Sequence, residues 1–149
     1  MIDLRKRVIE VLDQTHLMSL GTVDSEGVWV ADVIFIYDDD LNIYWMSNHA
    51  CRHSVAILES NRVAGTITRT VKSKEPNLGI QLEGVVQKLE GVQFDLMVKH
   101  LAKRGYTIPS PSKALEILGD TSWYKLVPIR IDLIDEENFG FNRQTVPLQ

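Results

Sequence analysis

The sequence lacks most of the features that mark secreted, membrane-spanning or disulfide-stapled proteins. Cys51 is the single cysteine among 149 residues, which excludes an intrachain disulfide and a cysteine-based zinc cluster. No apolar run approaches the ~18 residues of a membrane span. The charged first residues also lack the apolar core of a signal peptide. We therefore expect a cytoplasmic protein with no membrane partner.

Positive charge is equally scarce. The formal net charge is -4, and no run of Lys and Arg is longer than Arg5–Arg7. Because nucleic-acid binding depends on clustered cations that neutralise phosphates, we expect no nucleic-acid partner. Hydrophobic residues make up 44% of the chain, which is enough for one globular domain over residues 1–149.

Alternating apolar residues predict six strands with helices between them. Helical spacing covers residues 1–14 and 91–104, and a further helix is expected to begin near Cys51. Ser112 predicts the N-cap of a short helix at 113–118, since the Pro-rich stretch 107–111 is not expected to be helical. The predicted strands are 16–23, 28–37, 43–47, 63–70, 79–89 and 122–133. A fold that is mainly β with added helices, and strands joined by tight turns, favour a closed or partly closed antiparallel barrel.

Five single residues carry expectations of their own. Gly84 inside a strand predicts a bulge or a close backbone approach, and Pro128 demands an edge or bulge position. The tryptophans Trp29, Trp45 and Trp123 all fall on predicted strands, where packing in the core is the default.

The passage from Ile43 to Arg62 carries the residues best suited to hold an anion. A helix N-terminus offers free N–H groups and the positive end of its dipole, and the guanidinium of Arg52 can donate two parallel hydrogen bonds to a phosphate. The alternative is a plain strand-to-helix crossover with an exposed Arg and His. Cys51, likewise, is either a reactive thiol beside a helix N-terminus or a small residue tolerated at a cap.

Metal and hydrolytic sites have weak support. His49 and His53 have chelating spacing, but no acidic residue lies close in sequence to complete a site. The run Asp38–Asp40 lacks the Gly and the alternating ligands of a calcium loop, so we expect a solvated hairpin tip and no metal. Nucleotide fingerprints and the nucleophile elbow of serine hydrolases are also missing.

The order of these motifs resembles the FMN-binding split-barrel superfamily of pyridoxamine 5'-phosphate oxidase. The resemblance covers about Leu17 to Glu90 and rests on the hairpin SLGTVDSEGVWVADVIFIYDDDLNIYWMS, the basic helix start, LESNRV and IQLEGVVQKLE. Arg52-His53 fall where the superfamily often has an Arg-Lys pair on the FMN phosphate. The C-terminal half is closer to a poorly characterised bacterial branch than to the true oxidase.

This resemblance implies a six-stranded antiparallel split β-barrel that forms a homodimer, with FMN in the groove between the barrels. The residues that it implies for FMN are Val33, Ile34 and Phe35 through their backbone, Met46 and Ser47 along the ring and ribityl chain, and Arg52, His53 and Ser54 at the phosphate. Gln81, Trp123 and Arg143 are further candidates, acting from the partner subunit. Two departures stand out. His53 replaces a permanent cation, and Asp32 occupies the position of a flavin-contacting Arg.

The implied function is an oxidoreductase in which FMN passes electrons between NAD(P)H and a small-molecule substrate. Because the flavin performs the redox step, no general acid or base is assigned. The alternative is a non-enzymatic dimer that stores or senses a flavin, a tetrapyrrole or a similar cofactor, as a stress-response protein would.

Overall fold

Antiparallel strands dominate the computed structural model, which describes residues 1–149. The strands are β1 (Leu17–Asp24), β2 (Gly27–Tyr37), β3 (Ile43–Asn48), β4 (Arg62–Thr68), β5 (Leu78–Leu89), β6 (Thr121–Asp135) and β7 (Gln144–Thr145). The helices are α1 (Leu4–Gln14), α2 (Arg52–Glu59), α3 (Phe94–Lys103), α4 (Pro111–Leu118) and α5 (Glu136–Phe139). None of the helices has the length and apolar character needed to cross a membrane.

The sheet closes on itself. Its strand order is β3-β2-β1-β4-β5-β6-β7, and β3 also pairs with β6 along its whole length. Six strands therefore form a closed antiparallel barrel, and the short β7 extends the sheet beside β6. The predicted fold, a mainly β split barrel with added helices, is confirmed.

Some predicted helix bounds and the C-terminal elements were wrong or missed. Ser110, not Ser112, caps α4: its side chain accepts a hydrogen bond from the Lys113 amide, and Pro111 begins the helix. The prediction failed because proline, which cannot continue a helix, is well tolerated at its first position. Helix α3 begins at Phe94 rather than near residue 91. Helix α5 and strand β7 were not predicted.

The expectations for Gly84 and Pro128 are confirmed. These residues face each other across β5 and β6, next to a register shift between the two strands. A Cβ on Gly84 would lie 2.5 Å from the Val127 carbonyl oxygen, so the backbones approach too closely for any side chain. The other edge of β6 pairs with β3 as far as Leu126 and with β7 from Asp132 onwards, and Pro128 lies in the gap between these two pairings. Its missing N–H therefore breaks no ladder there.

Two of the three tryptophans pack in the core, and the third does not. Trp45 and Trp123 are fully buried, and Trp45 stacks on Tyr124 with 5.9 Å between ring centroids. Trp29 is 45% exposed. The expectation of core packing was wrong for Trp29 because it lies near the β1–β2 turn, where the barrel ends.

The link between β5 and β6 leaves the barrel and returns to it. The two strands pair up to Leu89 and Trp123, and the chain between them, Glu90 to Asp120, carries α3 and α4. These helices cover a second apolar cluster outside the barrel, in which His100 meets the ring of Trp123 edge-on at 5.8 Å.

Helix α1 packs on the barrel and is tied to the C-terminal part of β6. Val8, Val11 and Leu12 are buried in the main core. Arg7 donates two hydrogen bonds to the carboxylate of Asp135, at 2.8 and 3.2 Å, and the Asp135 side chain is only 1% exposed.

Candidate functional site

The N-terminus of α2 has free hydrogen-bond donors. Cys51 occupies the N-cap position, but its side chain makes no capping hydrogen bond. The first intrahelical bond runs from the Val55 amide to the Cys51 carbonyl, so the amides of Arg52, His53 and Ser54 precede it and have no acceptor within the chain. Such amides and the helix dipole together attract an anion.

Polar side chains gather around this helix start because β3 ends beside it. The Asn48 carbonyl accepts hydrogen bonds from both the amide and the thiol of Cys51, which makes the turn tight. His53 Nε2 lies 2.9 Å from Ser47 Oγ, and Cys51 Sγ lies 3.1 Å from the buried hydroxyl of Ser54. The structure thus brings Ser47, predicted along the ribityl chain, together with Arg52, His53 and Ser54, the residues predicted at the phosphate.

Charge in this group comes from Arg52. Burial lowers the pKa of His53 below its usual value of 6.5, since desolvation disfavours the imidazolium. At pH 7 His53 is therefore neutral and offers a hydrogen bond rather than a full charge.

Arg52 rests on an aromatic ring that the sequence did not connect with the anion site. Its Cζ lies 4.5 Å from the ring centroid of Trp29, and its Nε is buried without an acceptor. Nothing in the local sequence distinguishes Trp29 from the two core tryptophans, because the contact depends on how α2 packs against β1 and β2.

Trp29 also borders a shallow groove of about 370 Å³ on the barrel surface. The groove is mainly apolar and is lined by Gly21, Thr22, Val23, Val28, Trp29, Val30, Arg62, Val63, Ala64 and Glu83. At Gly21, Val30 and Ala64 it joins a second groove of about 360 Å³ that reaches Gln81. Each volume lies in the lower part of the usual range for ligand sites, roughly 300–1,000 Å³.

We call the two joined grooves the trough, and its shape follows from the cross-strand register. Val30, Gly21, Ala64 and Glu83 lie directly opposite one another on β2, β1, β4 and β5. Because Gly21 has no side chain and Ala64 only a methyl group, the middle of this row is low. Trp29 thus touches Arg52 and also lines the first groove, which joins the second groove as far as Gln81.

Other predicted residues lie elsewhere in the single chain. The side chains of Val33 and Phe35 are buried in the barrel core, and half-buried Ile34 pairs with Leu17. A role for their backbone in flavin binding stays a prediction. Met46 belongs with Trp123 to the cluster under α3 and α4.

Arg143 lies in a different surface cleft. This cleft is lined by the C-terminal turn and includes Phe141, which is 89% exposed. A single chain therefore does not bring Trp123, Met46 or Arg143 to Arg52, and a contribution from a partner subunit remains a prediction for them.

The acidic turn after β2 is partly structural. Asp38 accepts hydrogen bonds from the Tyr44 hydroxyl at 2.8 Å and from the Asn42 side chain at 2.9 Å. Burial acts to raise its pKa, but these donors outweigh it and lower the pKa. Asp39 and Asp40 are exposed, as expected of a solvated tip. Groups of three or more His, Cys, Asp or Glu side chains that could hold a metal do not occur in the structure.

Sequence comparison finds relatives among UPF0306 proteins. The chain is 31% identical over 81 residues to one from Photorhabdus laumondii, which covers 54% of this chain and 57% of that protein. It is 32% identical over 94 residues to one from Enterobacter sp., covering 62% and 66%. The chain thus matches less than two thirds of the length of these two relatives. YhbP of Escherichia fergusonii is 24% identical over 141 residues, covering 93% and 88%. No protein-family model matches the chain.

Solved structures are similar over nearly the whole chain. A conserved hypothetical protein of Mycobacterium tuberculosis has a TM-score of 0.77 at 15% identity, covering 99% of this chain and 92% of that one. A candidate pyridoxamine 5'-phosphate oxidase of Listeria innocua has a TM-score of 0.67 at 14% identity, covering 88% and 98%. The fold is the pyridoxamine 5'-phosphate oxidase-like split barrel.

A protein named for a different function has a similar structure. HutZ, the heme storage protein of Vibrio cholerae, has a TM-score of 0.71 at 14% identity, covering 90% of this chain and 96% of that one. The fold implied by the sequence resemblance is therefore confirmed, and a heme storage protein shares it.

Proposed function

We propose that this split barrel binds FMN beside Arg52 and acts as a homodimeric flavoprotein oxidoreductase. One observation carries the proposal: unsatisfied donors at a helix N-terminus adjoin, through Trp29, an apolar trough. FMN has matching parts, a phosphate at one end and a flat aromatic ring at the other. When bound, it supplies electron transfer between a nicotinamide cofactor and a small-molecule substrate.

The residues of this chain would hold and orient the cofactor. The guanidinium of Arg52 and the amides of Arg52, His53 and Ser54 donate to the phosphate oxygens, and neutral His53 adds a directional hydrogen bond. At the far end of the trough, the Gln81 amide can donate to a polar edge of the ring. The sheet face between them excludes water from one side of the ring.

A second copy of the chain would complete the site. Two large apolar side chains that line the trough are strongly exposed, Val28 at 80% and Val30 at 65%. Exposed apolar side chains beside an apolar groove favour burial against a partner. A dimer over this face would convert an open trough into an enclosed site.

FMN titration of the purified protein tests the proposal. We expect a yellow complex whose flavin fluorescence changes on binding, and weaker binding of riboflavin, which lacks the phosphate. Arg52→Ala should weaken FMN binding by about 1.5–3 kcal/mol, the usual worth of a hydrogen bond to a charged group. Arg104→Ala is the matched control, because Arg104 also lies over an aromatic ring, that of Tyr106, but on α3.

Three outcomes would contradict the proposal in different parts. A protein that takes up no FMN is not a flavoprotein. Unchanged affinity in Arg52→Ala would place the phosphate elsewhere. A yellow protein that NAD(P)H does not bleach without oxygen would favour the carrier or sensor alternative over the oxidoreductase.

A tetrapyrrole is the second candidate ligand, and one histidine favours it. His49 is exposed, and its Nδ1 lies 2.7 Å from the Asp120 carbonyl oxygen. Because a carbonyl only accepts hydrogen bonds, Nδ1 carries a proton, and in the neutral imidazole Nε2 keeps a free lone pair. This tautomer is the one that a metal-ligating histidine adopts.

Heme titration separates this candidate from FMN. Binding through His49 predicts a sharp heme absorption band that is lost in His49→Ala and kept in Arg104→Ala. A heme spectrum that does not depend on His49 would contradict ligation by this residue.

A further inference from the structure

Trp29 differs from the other tryptophans in its surroundings. It lies opposite Thr22 on neighbouring strands, close to the turn that joins β1 and β2. Its side chain is 45% exposed, whereas Trp45 and Trp123 are completely buried. A ring this large contributes most to stability when it is buried, so packing alone does not account for its position.

Arg52 is held differently from the arginines that make ion pairs. Arg7, Arg62 and Arg130 each pair with a carboxylate within 3.0 Å. Arg52 has no carboxylate within ion-pair distance, and its side chain makes no hydrogen bond within the chain. Its guanidinium instead lies over the ring of Trp29, at a distance well within the ~6 Å range of a cation–π interaction.

The difference matters for an anion site. A carboxylate partner would cancel the charge of Arg52 and use the same N–H donors that a phosphate needs. An aromatic ring contacts the flat face of the guanidinium and leaves the in-plane N–H groups free. It thus fixes the side chain without consuming its donors.

We infer that Trp29 is a positioning residue that holds the guanidinium of Arg52 ready for the phosphate of a phosphate-monoester ligand. The inference rests on the anion site of the proposed function. Trp29 lowers the conformational cost of binding, since a free arginine would have to be ordered when the phosphate arrives.

A double-mutant cycle tests the inference. Trp29→Leu, Arg52→Ala and the double variant are compared by FMN titration, and by calorimetric titration with inorganic phosphate. Trp29→Leu should weaken binding about three- to tenfold, the range of a partly desolvated cation–π contact. The double variant should bind no more weakly than Arg52→Ala, and Trp29→Phe, which keeps an aromatic face, should restore most of the affinity. Tyr106→Leu is the control, since it removes the ring under Arg104.

A second measurement needs no bound ligand. Iodide is an anionic quencher and acrylamide a neutral one, so a cation over Trp29 raises quenching by iodide relative to acrylamide. We expect this ratio to fall in Arg52→Ala and to stay unchanged in Arg104→Ala.

The outcomes separate this inference from the proposed function. If the wild-type protein binds phosphate but not FMN, the flavin proposal fails and the phosphate cycle still decides the role of Trp29. If neither ligand binds, the inference fails together with the anion site. The inference is also overturned if Trp29→Leu binds phosphate as tightly as the wild type does, or if the fold-losses in affinity of Trp29→Leu and Arg52→Ala multiply in the double variant. It is overturned as well if the ratio of iodide to acrylamide quenching does not depend on Arg52.

Discussion

Replacing Arg7 by Ala should destabilise the protein strongly, because it leaves a buried carboxylate without its cation. Arg7 donates two hydrogen bonds to Asp135, whose side chain is 1% exposed, while the Arg7 side chain is 19% exposed. Breaking a buried pair by removing one partner costs about 3–5 kcal/mol. Since water partly reaches Arg7, we expect the lower end, about 3 kcal/mol, a large part of a typical stability of 5–15 kcal/mol.

The pH dependence gives this prediction a second signature. Burial acts to raise the pKa of Asp135, but hydrogen bonds from Arg7 and Asn138 outweigh it and hold the pKa below 3.8. The wild-type protein therefore has this stabilisation above pH 3.8 and loses it as the pH falls further. In Arg7→Ala the pKa of Asp135 rises, so this acid-dependent loss should shrink or move to higher pH.

Urea unfolding followed by tryptophan fluorescence measures the effect. The midpoint should fall while the slope stays the same, and the melting temperature should drop by roughly 6–12 °C. Arg62→Ala is the matched control: its pair with Glu83 spans a similar distance, 3.0 Å, but both side chains are exposed, and such pairs are worth at most about 1 kcal/mol. If Arg7→Ala costs no more than Arg62→Ala, burial of the Asp135 carboxylate does not govern the energetics and the reasoning is refuted.

Three further predictions concern single residues. His53→Lys should strengthen FMN binding about fivefold, because a charged donor replaces a neutral one, and should flatten the pH dependence of binding below pH 6.5. FMN titrations measure both effects, with His53→Gln as the neutral control, and unchanged affinity in His53→Lys would mean that His53 does not face the phosphate. The pKa of His100 is lowered mainly by burial and then by Arg104 and Lys103, so the protein should lose stability as the pH falls below 6.5. Between pH 7.5 and 5.5 the melting temperature of His100→Phe should therefore fall less than that of the wild type, and an equal fall would contradict the role of His100. Gly84→Ala should cost about 1–3 kcal/mol in urea unfolding, because its Cβ would lie 2.5 Å from a carbonyl oxygen, and a neutral effect would mean that β5 and β6 separate easily.

The barrel was predictable because its signals are local. Period-2 alternation and turn residues identify each strand, and Gly84 and Pro128 mark the bulge by their own chemistry. The number of strands favoured a closed barrel. The pairing of β3 with β6 that closes it, which sets Trp45 against Tyr124, depends on residues far apart in sequence. The C-terminal α5 and β7 were missed since four-residue and two-residue elements have no measurable periodicity.

The candidate site was predictable at one end only. Arg52, His53 and Ser54 follow a strand and begin a helix, so their neighbourhood is determined by adjacent residues. Trp29 and the trough at Gly21 and Ala64 arise from strand register and helix packing, which a single sequence does not fix. For the same reason the sequence could not separate Trp29 from the core tryptophans.

The detour of the chain between β5 and β6 has a consequence for how this protein can be altered. Since the two strands remain paired up to the point where the chain leaves, the residues Glu90 to Asp120 are an insertion into what would otherwise be a plain hairpin. A short turn in their place would leave every rung of the barrel ladder intact, but it would uncover the apolar cluster around Trp123 and remove the hydrogen bonds that Lys99 and Lys103 donate to the carbonyls of Tyr37, Leu12 and Phe35. The segment is thus an exchangeable module, on which a relative could carry a different covering without redesigning the barrel or the α2 start.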